Sequence, residues 1–146
     1  MNRVINVART WIGTPYMHQA AVRGAGTDCL GLIRGVWREV IGIEPETIPP
    51  YSVDWNEPQR DEGLWRAAER WLIPIPTIAA SEIGQVALFR MRDGCVAKHL
   101  GILSRNGSGP TFVHAYVGCG VVETSLSEPW RRRIVARFAF PIDQED

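Results

Sequence analysis

A change of periodicity near the middle of the chain restricts the fold more than any other feature. Up to about residue 72, apolar residues recur at helical spacing; beyond about residue 86 they gather in short runs suited to strands. Residues 2 to 12 set Val4, Ala8, Trp11 and Ile12 on one helical face, and Gly13-Thr14-Pro15 closes that helix. A Gly-rich loop over residues 13 to 27 leads to Thr27-Asp28, either of which can cap a second helix. Leu30, Ile33, Val36, Trp37, Val40 and Ile41 give this helix a broad apolar stripe, and Gly42 ends it. An extended excursion rich in Pro and acidic residues runs from Ile43 to Pro58. A third helix is predicted over Glu62 to Leu72, with Leu64, Trp65, Ala68 and Trp71 inward and Pro74 and Pro76 as its stop. Five strand-like runs follow: Val86 to Phe89, Leu100 to Leu103, Thr111 to Tyr116, Val121 to Thr124 and Ile134 to Phe140. Helices followed by consecutive strands predict an α+β class with an antiparallel sheet, not alternating βαβ units. A length of 146 residues suits one domain over 1–146, and no internal repeat is visible.

Sixteen basic residues balance sixteen acidic ones, so no net field draws the protein toward nucleic acid or an anionic membrane. The run Arg131-Arg132-Arg133 is the local exception and reads as a solvated strand edge. No stretch is apolar enough to span a bilayer, and the first residues lack the long apolar core of a secretory signal peptide. Cys29, Cys95 and Cys119 cannot all pair within one chain. No CxxC spacing occurs, so free thiols are expected and neither a redox dithiol nor a zinc site is signalled.

Cys29 falls where the second helix begins. Unsatisfied N–H groups and partial positive charge at a helix start favour thiolate over thiol, and the thiolate is the reactive form. Glycines 24, 26 and 31 are expected to keep bulk away from the sulfur and leave room for a substrate backbone. The alternative is a small buried apolar residue beneath a Gly-rich turn. His99, at the start of a predicted strand, is a candidate base because imidazole titrates near working pH. His114, with apolar neighbours in Phe112-Val113-His114, is either a core histidine or a group that orients the base from behind. Asp28 reads first as a helix cap, because neighbours at a helix start point apart. Tyr16 is a candidate hydroxyl donor near the sulfur, and His18 reads as structural or substrate-facing. No dinucleotide fingerprint, Walker lysine pattern or HExxH motif occurs.

Gly13-Thr14-Pro15-Tyr16, Thr27-Asp28-Cys29-Leu30-Gly31-Leu32, His99-Leu100-Gly101-Ile102 and Val113-His114-Ala115, in that order, resemble the signature of the NlpC/P60 peptidases. The resemblance runs from about Ala8 to Tyr116. Tyr16 to Ala21, Gly35 to Glu39 and Pro50 to Trp55 look most like the small phage-tail type, including the cell-wall peptidases of gene transfer agents. The resemblance implies a papain-like α+β fold with N-terminal helices packed on an antiparallel sheet of about five strands. It also implies a cysteine (thiol) peptidase with a Cys-His-His triad on Cys29, His99 and His114. The substrate would be the peptidoglycan stem peptide, cut after its D-glutamyl unit, with no metal or organic cofactor. Tyr16, Asp28 and His18 are grouped on the substrate and oxyanion side. Phage-like tail-tip or baseplate proteins would be the partners. The protein would be made in the cytoplasm, carried in a virion-like particle, and act in the recipient periplasm. A catalytically silent tail-tip module and an amidase or acyltransferase using the same triad are the rival readings. The chain departs from the family at Leu30, where Ser is common, and at Gln85 after Gly84, where Asp is common. Its loop before Cys29 is Ala-rich where many members have paired glycines.

Overall fold

The computed structural model describes residues 2–52 and 61–142. Val53 to Trp55, part of the tail-type resemblance, lie outside the described residues, as does Pro58 at the end of the excursion. Three helices lead the chain: α1 (Arg3–Arg9), α2 (Cys29–Val40) and α3 (Gly63–Trp71). A two-residue hairpin, β1 (Ala21–Val22) with β2 (Gly26–Thr27), interrupts the loop before α2. Then come β3 (Ile73–Ile75), β4 (Val86–Phe89), β5 (His99–Arg105), β6 (Thr111–Tyr116) and β7 (Gly120–Ser125). A short α4 (Glu128–Arg132) and β8 (Ile134–Ala139) complete the chain.

Strands β3 to β8 form one six-stranded antiparallel sheet in the order β3-β8-β4-β5-β6-β7. The sheet has one strand more than expected, because β3 runs through Pro74, part of the stretch read as a helix stop. Pro74 has no N–H to give a ladder, and β3 sits at an edge, where that loss is tolerated. The Arg131-Arg132-Arg133 run is helical, not a strand edge: Arg131 and Arg132 end α4 and Arg133 is its C-cap. The first helix is shorter than predicted and leaves Ile12 45% exposed.

Alternation along β4 explains how the two faces are filled. Val86 and Leu88 pack with Leu32, Ile33 and Val36 of α2, Val4 and Ile5 of α1, and Leu64 and Trp71 of α3. Ala87 and Phe89 face the other way, against Leu103, Phe112 and Leu126, with Trp130 of α4 and Ile134 as the outer cover. Helix α2 lies so close to its neighbours that Gly35 is required: a Cβ there would fall 2.0 Å from the Trp11 ring. On the far side of the sheet, the buried Arg137 guanidinium ties the 76–80 loop down. It donates to the carbonyls of Pro76, Thr77, Ala79 and Ala80 and, at 2.9 Å, to Oε1 of Gln85. Gln85 thus serves a neutral partner role in the loop anchorage. Leu30 packs toward Ile33, Ala68, Trp71 and Leu100, so the apolar residue after Cys29 belongs to the core.

Candidate active site

Asp28 decides where Cys29 sits. As N-cap of α2 it accepts from the Gly31 N–H at 2.7 Å through Oδ1. Its Oδ2 accepts from the Gln19 N–H at 2.7 Å and from the Tyr51 hydroxyl. Three separate stretches of chain are therefore fastened to one carboxylate, and Asp28 is 2% exposed. Gln19 holds a left-handed φ of 65° in doing so, a conformation rare outside glycine. His18 joins from the side, with Nε2 2.8 Å from the Tyr51 carbonyl and Nδ1 3.8 Å from Asp28 Oδ2. Asp28 and His18 are thus bonded to the surrounding chain, and neither lines the cleft that holds Cys29. The glycine expectation is corrected at two of its three positions, while a Cβ at Gly24 would meet nothing within 4 Å. A Cβ at Gly31 would meet the Ala20 carbonyl oxygen at 1.9 Å, and one at Gly26 would meet Met17 at 2.9 Å. Both make room for the loop, not for substrate.

The cleft itself has a volume of about 470 Å³ and is lined by Tyr16, Cys29, Met91, Lys98, His99 and Tyr116, among others. Cys29 enters from the helical layer at the start of α2, and its Sγ lies 3.9 Å from the Lys98 carbonyl oxygen. His99 is the first residue of β5. His99 and His114 belong to adjacent strands, β5 and β6, and Nε2 of His99 lies 2.7 Å from Nδ1 of His114. Gly101 lies two residues after His99 on β5. A Cβ there would fall 2.7 Å from the Phe112 ring, so glycine makes room for the ring that packs on His114. Nε2 of His114 lies 2.9 Å from Oγ1 of Thr124 on β7. Thr124 was not visible as a site residue in sequence, since its hydroxyl acts across a strand pair. Phe89, Phe112, Tyr116 and Trp130 wall the imidazoles in, with Trp130 5.7 Å from His99 and 5.3 Å from His114 between ring centroids.

Burial sets the protonation states. It pushes the Cys29 thiol up to about 12, helped by the Asp28 charge and opposed by the backbone N–H groups of Leu100, Leu30 and Cys29. The thiolate expected from the helix start is thus not the resting state of the free protein, because desolvation outweighs those N–H groups. Burial likewise holds His99 down to about 3, with the neighbouring His114 adding to the effect, and His114 down to about 4. The Tyr16 hydroxyl is raised to about 12, first by burial and then by Cys29 and Asp28, which keeps it a donor. At neutral pH the cleft therefore holds a thiol, a phenol and the neutral imidazole of His99, with the neutral His114 behind it. Among the described residues no His/Cys/Asp/Glu group of three or more is arranged to hold a metal ion, and no helix is long and apolar enough to cross a membrane.

The direction of the hydrogen-bond chain follows from donor counting. A neutral imidazole has one N–H and one lone pair. If Thr124 accepts from His114 Nε2, then His114 Nδ1 accepts from His99 Nε2, and Nδ1 of His99 carries a lone pair. The reverse orientation puts a proton on that nitrogen. Only the first arrangement makes His99 able to take a proton.

Comparison with known proteins gives the fold a context. No family model matches the chain. It is 26% identical over 133 residues to the murein DD-endopeptidase MepS/murein LD-carboxypeptidase of Escherichia coli K12, and equally to that of strain O157:H7. The alignment takes in 90% of this chain and 58% of the relative, so the chain spans little more than half the length of the curated relatives it matches. Two solved NlpC/P60 proteins superpose with a TM-score of 0.62 at 20% identity. A lipoprotein-like NLP/P60 protein from Staphylococcus aureus covers 96% of this chain and 41% of its own length. An NlpC/P60 family protein from Bacillus cereus covers 94% and 39%. The architecture is the NlpC/P60 peptidase-like α+β fold.

Proposed function

We propose that this chain is a cysteine peptidase of bacterial cell-wall peptide, with Cys29 as nucleophile, His99 as base and His114 as the group that orients it. The observation that carries the reading is the shared cleft: Cys29 and His99 line it together, and His114 stands 2.7 Å behind His99. The likeness to a murein endopeptidase supports the choice of substrate. In the resting state both partners are neutral. As a peptide carbonyl enters, the thiol proton passes to Nδ1 of His99 while sulfur bonds to the carbonyl carbon. The backbone N–H of Cys29 and the Tyr16 hydroxyl donate to the oxygen that gains charge. The C–N bond then breaks, and the proton on Nδ1 goes to the leaving amine. Water attacks the thioester, gives its proton to His99, and releases the acid and the thiol. His114, bonded to Thr124, holds His99 in the tautomer these transfers need.

The bond cut is the finer part of the proposal. Resemblance in the Cys29 and His99 motifs favours the bond after D-glutamyl. The relative's name speaks instead of DD-endopeptidase and LD-carboxypeptidase activity. Residues Tyr16–Ala21 and Gly35–Glu39 further support a tail-associated role, in which the protein opens the recipient wall for DNA delivery from a phage-like particle. Purified peptidoglycan fragments incubated with the protein and with Cys29→Ala, then read by mass spectrometry, test all of this. New peptide termini from the wild type alone are expected, and their masses identify the bond. Identical spectra would leave only the silent module, and products joined to an added amine would identify an acyltransferase.

A further inference from the structure

Next to the catalytic cleft lies a second one, of about 460 Å³, whose wall carries Arg90, Arg92, Arg132 and Arg133 against a single acidic residue, Asp93. Met91 lines both clefts, so they adjoin at the β4–β5 connection. The chain has no net charge, which makes four guanidiniums in one concavity a local concentration and not a share of a general excess. Elsewhere the arginines are mostly matched to carboxylates: Arg9 to Glu123, Arg23 to Glu39, Arg34 and Arg38 to Glu44, Arg70 to Glu46. Arg90 too is matched, to Glu62 at 3.0 Å, and so is fixed in place. Among the described residues Arg132 pairs only with its i–4 neighbour Glu128 at 3.4 Å, with both side chains mostly exposed, a pairing of little worth. Arg133 rests over the Trp130 ring at 5.5 Å, with no carboxylate in ion-pair reach among the described residues. That same ring packs on His99 and His114, so one indole braces both the base and the cationic wall.

We infer that this Arg-lined cleft is a carboxylate-binding subsite for the peptide whose bond meets Cys29, and that it selects substrates with a free acid beyond the scissile bond. The inference rests on the peptidase reading for its ligand. A peptide is the occupant because the cleft continues the catalytic one past Met91 and Lys98, and an extended chain advances about 3.3 Å per residue along such a path. A planar carboxylate suits guanidinium donors, which bind it through paired N–H groups.

The test is calorimetric titration of the Cys29→Ala protein, which binds without turnover. The probes are a stem tripeptide ending in a free diamino acid, the same peptide with that carboxyl amidated, and poly(glycerol phosphate). The free acid is expected to bind about tenfold more tightly than the amide at low salt. The Arg132→Gln/Arg133→Gln pair, which replaces exposed Arg132 and half-buried Arg133, should remove that preference while leaving amide binding unchanged. In the active protein the same pair should raise KM for the free acid and leave kcat alone. Equal binding of acid and amide overturns the inference, as does poly(glycerol phosphate) binding that depends on Arg132 and Arg133 without an acid preference. A protein that prefers the acid through these arginines yet cleaves no wall fragment would keep the subsite and sink the peptidase reading.

Discussion

His99 Nε2 and His114 Nδ1 lie 2.7 Å apart, a distance at which the two imidazoles share one proton between them. Which ring owns it decides whether His99 can act as a base, and the Thr124 hydroxyl, 2.9 Å from His114 Nε2, supports the productive orientation when it accepts from that nitrogen.

Substitutions along that chain should therefore differ in kind. His99→Ala is expected to lower kcat on wall fragments by about 10²–10⁴-fold, the usual worth of a general base. His114→Ala should leave a measurable remainder, because it orients and does not transfer the proton. Thr124→Val should cost about fivefold in kcat with little change in KM, equivalent to one hydrogen bond of about 1 kcal/mol. A fully active His99→Ala protein with native circular dichroism would remove His99 from the mechanism.

Thiol labelling reads the resting state directly. With Cys29 pushed up to about 12, the free protein should alkylate at exposed Cys119 before Cys29 at pH 7, with Cys29 still gaining reactivity above pH 9. Peptide mapping after iodoacetamide checks the order. Preferential Cys29 labelling at pH 6 would mean that a thiolate is present without substrate.

Acid should destabilise the fold earlier than its carboxylates alone can explain. His99 and His114 have folded values of about 3 and about 4, below the ordinary 6.5, so the unfolded chain binds more protons as pH falls. Their neutral burial contributes in full above about pH 6.5 and is lost as pH drops toward 4, at up to about 1.4 kcal/mol per pH unit for each proton. Glu44, Glu46 and Glu123 are held below 4.5 by their arginine partners, so their loss comes later. Urea unfolding at half-unit steps should show a slope between pH 6.5 and 4.5 that a His99→Gln/His114→Gln protein lacks.

Arg137 should be among the costliest positions away from the cleft. Arg137→Met strands the Pro76, Thr77, Ala79 and Ala80 carbonyls and Gln85 and is expected to lose about 2–4 kcal/mol in urea unfolding. Arg137→Lys should recover only part, because three ammonium protons cannot serve five acceptors. A change under 0.5 kcal/mol would show that the 76–80 loop does not depend on this anchor.

Sequence made the chemical centre more legible than its surroundings. The start of α2 was readable because Asp28 carries its own signal, a capping side chain three residues before the Gly31 amide. The β4 to β8 pattern was readable because short apolar runs separated by turn residues are a local signal, and β4, β5 and β6 are buried almost throughout. The 21–27 hairpin was not, since two-residue strands leave no period to detect. The α4 turn was missed although Ser127 and Pro129 mark a helix start, because the three following arginines suggested an edge. Thr124 and Tyr51 were beyond reach for a different reason. Their hydroxyls meet His114 and Asp28 from 10 and 23 residues away, and only folding brings them there.

The three-way grip of Asp28 has a mechanical consequence. The loop through Gln19, the segment through Tyr51 and the first turn of α2 turn on a common pivot, so none can swing away without dragging the sulfur with it. That wall of the cleft moves as a single plate. Any widening that admits a bulky cross-linked peptide therefore falls first to the exposed side chains of the opposite wall, Tyr116 and Val117.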